Sequence, residues 1–235
     1  MFRSLQELGR HGESNYAPTN AFFVKRRSAL PFTPEALGPR PCADGYAELF
    51  GGKPDAFFGA HQLKGAAGGP DFIDVFVYPI EMEGVEGPIC AVVTNGMSDQ
   101  RMAEGVDPGQ PRRRELIQYL RNCTLGHAKR LRDMAWLPLH DAFLLDSRHS
   151  VAWEWPAVEG TPWKNAFFLL PLINPHAEFT FEIEGELASF LWHVPISDKD
   201  RAFKQEHGTD ALLDRMQAVG VPWIFDEANR PPLVE

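Results

Sequence analysis

Two runs of β-branched and aromatic residues, 72–80 (FIDVFVYPI) and 89–94 (ICAVVT), flank the turn-rich stretch 83–88 (EGVEGP). Residues of this kind pack on a pleated surface, and the spacing closes a hairpin, so the chain must build a sheet whose first unit is an antiparallel pair. Asp74 interrupts the first run. The stretch 115–120 (ELIQYL) alternates apolar with polar and reads either as a third strand or as a helix continuing from the arginines before it. Six residues of periodicity do not separate the two.

Helices enter later in the chain. Asp44 can cap a short one over 45–50, closed by Gly51 and Gly52. Thr124 can cap another in which Leu125, Ala128, Leu131, Ala135 and Leu139 recur at three- and four-residue steps, with Pro138 kinking or ending it. Short strands are expected around 150–153, 166–170 and 187–194. Ser197 with Asp200 opens a helix that Gly208 ends. Thr209 caps the next, where Leu212, Met216 and Val219 share a face before Gly220 and Pro222 stop it. Strict β-α-β alternation and internal repeats are both absent, and no linker divides the chain. The reading is a single α+β domain over 42–235. Residues 1–41 form an irregular N-terminal arm, where Pro31, Pro34, Pro39 and Pro41 forbid long regular structure.

Composition sets the class. With 235 residues, 44% apolar, six Trp and seventeen Phe, the chain has apolar surface enough for one large core. Cys42, Cys90 and Cys123 are odd in number, far apart in sequence and never form C-x-x-C, which fits reduced thiols better than disulfides or zinc ligands. Met1–Gly12 has no apolar signal segment, and the longest apolar run, Ala166–Ile173, is too short for a bilayer. A cytoplasmic chain without membrane contact is expected.

Net charge is −9, distributed unevenly: residues 1–40 and 101–133 are basic on balance, the rest acidic. Lys25–Arg27 and Arg112–Arg114 stand out. Nucleic-acid binders carry a basic balance over the whole domain, so these triplets read first as solvated faces or edge protection, and a nucleic-acid partner through Arg112–Arg114 is an alternative only.

Catalytic motifs are incomplete. Thr94–Ser98 (TNGMS) follows a strand as a nucleophile elbow would, but the second glycine of G-x-S-x-G is missing. A hydrolase using Ser98 or Asp74 with a nearby histidine, such as His61 or His149, is the enzymatic alternative. Eight histidines are present in none of the spacings that aim two ligands at one ion, and the pairs His140–Asp141 and Asp71–Asp74 point apart in regular structure, so no metal and no cofactor is expected. The Gly-rich 65–70 (GAAGGP) lacks the Lys-Ser/Thr ending of a phosphate loop and reads as a turn. The stretch 178–186 (EFTFEIEGE) has the alternation of a half-buried strand with an acidic outer face, serving solubility or a basic partner. Trp153, Trp155 and Trp163 fall within eleven residues; in an even strand Trp153 and Trp155 share a face, either of the core or of a binding surface.

Taken in order, several segments resemble the suppressor of fused domain family. Thr94–Ser98 after an apolar strand is similar to its T-x-G-M-S element, and Arg114-Glu115-Leu116 to the strand that follows. Leu191–Ser197 (LWHVPIS) resembles its strand ending in V-P-I. Gly208, Leu212-Leu213, Pro222–Ile224 and Asn229–Pro231 then keep the family's order, so the resemblance covers roughly 42–232 as a motif series.

The resemblance implies a twisted mixed β-sheet with helices packed on it, and protein binding without catalysis. Family members of eukaryotes hold a peptide as an added strand between this domain and a second one, which the sequence ending at Glu235 does not include. The family's peptide-contacting aromatic and acid fall on Trp136 and Arg148 here; the acid is replaced, although Asp146 lies two residues away, so a different partner is expected. Asp146, His149, Trp153 and Trp155 complete the candidate partner-binding set. Stand-alone bacterial members are associated with toxin loci, so an immunity protein neutralising a cognate toxin is the narrower expectation.

Overall fold

In the computed structural model the described residues are 46, 49–50, 52–59, 72–81, 85–105, 109–171, 180–221, 223–231 and 233–234. The expected arm 1–41, the turn 65–70, Lys25–Arg27, Cys42, Asp44, His61 and Asp71 lie outside them. Eight strands form one sheet: β1 Ala56–Phe58, β2 Asp74–Ile80, β3 Ile89–Asn95, β4 Arg113–Leu120, β5 Ser150–Val151, β6 Asn165–Leu169, β7 Thr180–Ile183 and β8 Glu186–Ile196. Their order is β1-β2-β3-β4-β8-β6-β5, with β7 also paired to β8. Every pairing is antiparallel except the central one, where Arg113–Ile117 runs parallel to Ala188–Trp192.

The expected hairpin is β2–β3, in register from Asp74 opposite Asn95 to Ile80 opposite Ile89. Side chains alternate between faces along a strand, and here both faces are covered. Phe76, Tyr78, Ala91, Val93, Ile117 and Tyr119 pack on one side with Leu212, Leu213 and Met216 of α3 (Thr209–Val219). Val75, Val77, Val92, Leu116 and Leu120 pack on the other with Ala128, Leu131, Met134 and Ala135 of α1 (Leu125–His140). Double coverage explains why β2, β3 and β4 are buried along their whole length and why β2 and β3 run apolar with few interruptions, whereas β4 buries Arg113, Arg114, Glu115 and Gln118 as well. Each large aliphatic side chain so buried contributes about 1.5–3 kcal/mol.

The ambiguous 115–120 segment is strand, extended back to Arg113. Thr124 caps α1 as expected, reciprocated by the His127 side chain, but Leu125 faces solvent, and Pro138 sits inside a helix that runs to His140. Proline lacks the N–H that would bond four residues back, so the helix survives it by less than one turn. Ser197 and Asp200 form the capping box of α2 (Asp198–His207). Thr209 is the first residue of α3 rather than its cap: Gly208, at φ +90°, ends α2 and precedes α3 with no side-chain cap. The segment 178–186 is not one strand; within its described part, Glu184 and Gly185 turn the chain between β7 and β8 at positive φ. Only part of the short helix at 45–50 is described, and there the Phe50 N–H donates to the Tyr46 carbonyl at 2.9 Å. Among the described residues no helix is long and apolar enough to cross a membrane.

Candidate partner-binding surface

The Thr94–Ser98 element is a structural knot around Glu115. This carboxylate is wholly buried in β4, where Oε1 accepts from the N–H groups of Gly96 (2.9 Å) and Ser98 (3.0 Å) and from the Ser98 hydroxyl (2.5 Å). Oε2 accepts from the Thr94 hydroxyl at 2.6 Å, which in turn accepts from the Leu116 N–H at 2.8 Å. Burial raises the Glu115 pKa above the ordinary carboxyl value, against the hydrogen bonds from Ser98, Thr94 and Gly96 that lower it. Ser98 is itself 0% exposed and its hydroxyl is committed to Glu115, so it is not presented at a surface as a hydrolytic nucleophile would be. Asp74 begins β2 opposite Asn95, buried in the sheet rather than in a cleft.

The basic triplet is turned inward on the chain's own acids. Arg112 donates to the Met102 carbonyl and reaches Glu104; Arg113 binds Glu184 (2.8 Å) and Glu186 (3.0 Å) and donates to the Ser98 carbonyl (2.7 Å). Arg114 pairs with Asp146 at 2.5 Å and donates to the Ser189 hydroxyl. The acidic β7–β8 hairpin is therefore matched to arginines within the fold, with Arg101 also on Glu186, and the triplet does not present a phosphate-binding stripe.

Asp146, in the segment before β5, neutralises a buried guanidinium; its side chain is 14% exposed and that of Arg114 4%. Two residues on, Arg148 adopts φ +72°, donates its N–H to the Phe168 carbonyl at 2.6 Å and pairs with Asp210 of α3. His149 is exposed, and its carbonyl accepts from the Phe168 N–H at 3.0 Å. These bonds extend the β5–β6 ladder, and β5 carries no strand on its other side among the described residues. Trp136 lies elsewhere, half-buried on α1 between Phe72 and His140, with ring centroids 5.7 and 5.6 Å away. His140 bonds Asp141 (2.6 Å), which stands just past the helix end, so the expected divergence of that pair does not hold.

The three tryptophans do not share a strand face, because β5 ends at Val151 and 152–164 is irregular. Trp163 is buried, Trp153 half-buried, and Trp155 65% exposed, the most exposed of the large apolar side chains described. The segment closes on α1 at Gly126, where any Cβ would collide with the Ala157 carbonyl oxygen. Arg130 of α1 then props it from below: its guanidinium lies 5.3 Å from the Trp153 ring centroid and donates to the Lys164 carbonyl at 2.7 Å. The exposed indole is thus mounted on a fixed segment beside a sheet edge.

Beneath this segment is a narrow cleft lined by Arg130, Trp163, Lys164, His193, Phe225 and Glu227, among others. Sequence reasoning missed it. His193 reads only as part of an apolar strand, and the β6–β8 register sets it opposite Phe168 at the cleft; Arg230, which reads only as part of Asn229–Pro231, stands against the Trp163 and Phe225 rings. No group of three or more His, Cys, Asp and Glu able to hold a metal occurs among the described residues. Cys90 and Cys123 are free, yet the fold brings them together: the hydrogen bond with Cys123, then burial, raises the Cys90 thiol pKa.

A family model described as "Suppressor of fused protein (SUFU)" matches residues 69–230. The fold is similar to the crystal structure of a suppressor of fused homologue from Neisseria gonorrhoeae FA 1090, at 18% identity and TM-score 0.51, covering 69% of this chain and 79% of that one. It is also similar to a chain of the Sufu–Fu complex, at 10% identity and TM-score 0.52, covering 68% and 77%. Drosophila Suppressor of Fused gives 12% identity and TM-score 0.50, covering 68% of this chain but only 42% of the larger protein. No curated protein matches the sequence.

Proposed function

The chain belongs to the suppressor of fused protein family, and from that premise we propose that it is a non-catalytic protein-binding domain whose partner docks along β5 and the tryptophan segment. The observation that carries this is the juxtaposition of the sheet edge at Ser150–Val151, which carries no further strand among the described residues, with an indole 65% exposed at Trp155. An extended partner segment gains main-chain hydrogen bonds from the edge and side-chain contact from the aromatic, the division of labour of strand addition. In the set Trp136, Asp146, Arg148, His149, Trp153 and Trp155, the last four act as contact residues. Asp146 positions them through Arg114, and Trp136 buttresses α1.

The Sufu–Fu complex, a fold relative in a protein assembly, supports the reading. The burial of Ser98 against Glu115 supports the absence of hydrolysis. The test is affinity capture from source cells with the wild type and with Ser150→Pro and Trp155→Ser variants, followed by titration of the purified partner. A partner that both variants lose, with folding intact, is the expected result; a partner bound equally by all three refutes the site. A narrower form, neutralisation of a toxin encoded beside this chain, is tested by co-expression, where an undiminished toxin refutes it.

A further inference from the structure

Positive charge gathers beside the sheet edge at β5, on the face that α2 and α3 cover. Ser150 pairs with Phe167 of β6, so the two side chains share a face, and Phe167 belongs to the core built with Leu212, Leu213 and Met216 of α3. Lys204 of α2 holds its ammonium 5.8 Å from the Phe167 ring centroid. Arg148, two residues before β5, turns to the same side to reach Asp210 in the first turn of α3. Arg201, three residues before Lys204 on α2, completes the group.

These cations crowd one another. After burial, Arg201 and then Arg148 lower the Lys204 pKa below the ordinary ammonium value. Among the described residues neither Arg201 nor Lys204 makes an ion pair, and the Arg201 Nε is buried without a hydrogen-bond partner. The acids close by are already committed. Asp210 is taken by Arg148, and Asp198, which Arg201 attracts, is held by Lys164 (2.7 Å) and Asn165 (2.9 Å). Asp200 is buried and accepts from the Ser197 N–H at 2.9 Å. A chain of net charge −9 thus keeps a positive patch at one sheet edge.

The pleat then defines what the patch meets. A strand added beside β5 lies about 4.8 Å farther out, and its side chains alternate between the two faces. The residue opposite Ser150 emerges on the α2 side, among the cations. Its neighbour opposite Val151 emerges on the other face, where Val151 and Trp153 pack against the second core.

We propose that the partner segment carries an Asp or Glu opposite Ser150, held against Arg148, Arg201 and Lys204, with an apolar residue next to it on the tryptophan side. The inference rests on the protein-binding reading. An acid there relieves the repulsion between like charges and fixes the register of the added strand, since a slip by one residue would carry it to the apolar face. A nucleic acid fits less well, because the net negative charge repels it and the patch is too small to follow a phosphate backbone.

The experiment titrates two short strand-forming peptides into the full chain, one with a central Glu between apolar residues and the other its Gln twin. NMR follows the Ser150 and Val151 amides and the side chains of Arg201 and Lys204. The Glu peptide is expected to shift all four saturably and to bind about fivefold tighter than its twin, an advantage that shrinks with added sodium chloride. Lys204→Met, which keeps an apolar stem over Phe167, and Arg201→Met should each cut that advantage about twofold while leaving the Gln peptide unaffected. Asp210→Asn, which frees Arg148, should enlarge it. Twins that bind β5 equally, or an advantage indifferent to all three substitutions, overturn the proposal and leave the docking reading standing. Shifts at Arg201 and Lys204 that spare the β5 amides overturn the docking reading and the proposal with it. No saturable shift from either peptide overturns the proposal too, and it alone if Ser150→Pro and Trp155→Ser still release the captured partner. A thymidine oligonucleotide that binds the same side chains more tightly than the Glu peptide overturns it in favour of nucleic acid.

Discussion

Glu115→Ala tests the claim that the Thr94–Ser98 element is held together by one buried carboxylate. The substitution strips the acceptor from four donors at 2.5–3.0 Å. The two hydroxyls can turn away, Thr94 toward the Leu116 carbonyl 3.5 Å off, but the N–H groups of Gly96 and Ser98 cannot. Two stranded amides at about 1–3 kcal/mol each, plus a small cavity, less the relief of no longer burying an ionised group, leave a net loss of roughly 3–5 kcal/mol. That is a large share of a typical total of about 5–15 kcal/mol. Urea unfolding followed by tryptophan fluorescence reads it as a lower midpoint at unchanged slope.

Glu115→Gln keeps an acceptor for both amides and costs less, and its pH dependence fixes the sign. Because the folded pKa lies above the unfolded value of 4.5, the wild type's favourable contribution is complete below that value and is lost as pH rises through the folded one. The penalty of Glu115→Gln therefore shrinks from acid to neutral pH. An alanine variant within about 1 kcal/mol of wild type, with the slope unchanged, refutes the reasoning.

Asp146→Asn leaves the buried Arg114 guanidinium without its counter-ion and should cost about 3 kcal/mol in the same urea assay. A loss near zero means that Asp146 does not hold the segment before β5. Ala142→Gly should raise the unfolding temperature, because Ala142 sits at φ +52° just past α1 and glycine relieves about 1–2 kcal/mol of left-handed strain against about 0.5–1 kcal/mol of chain entropy. His193 is depressed from 6.5 to about 3, so the unfolded chain binds a proton there that the fold refuses. Its contribution is complete above pH 6.5 and lost as pH falls toward about 3, on the order of a few kcal/mol; His193→Gln should flatten that limb of the stability–pH curve.

Local chemistry made much of the fold legible. The hairpin from 72 to 94 is written in residues that only a covered sheet can bury, and the caps at Thr124 and Ser197 are set by side chains within four residues of the helix start. Misreadings arose where two local signals competed. Thr209 looks like a cap, but Gly208 already accommodates the reversal at φ +90°; Leu125 fits the apolar period of α1 but lies at its exposed first turn. Within the site, the tryptophans were visible as residues but not as an arrangement. What sets Trp155 outward is the close approach of Ala157 to Gly126 and the contact of Arg130 with Trp153, across about thirty residues of sequence. Glu115 could have been suspected from the apolar Leu116 and Ile117 that follow it in the strand, since a buried carboxylate demands several donors and Thr94 and Ser98 supply hydroxyls. The arginine–histidine cleft left no such trace, because its members come from α1, β8 and the C-terminal segment.

The parallel joint between β4 and β8 also dictates how the molecule can be made. A nascent polypeptide interrupted on the ribosome after Leu120 but before Glu186 has completed β1 to β4 but leaves Arg113–Ile117 with an unzipped flank. That flank bears Leu116 and Ile117, apolar and rich in backbone donors and acceptors, and it invites association with another unfinished copy. Closure must wait for about seventy further residues, so assembly is slow by topology, and truncated products ending before β8 are expected in inclusion bodies rather than as soluble half-domains.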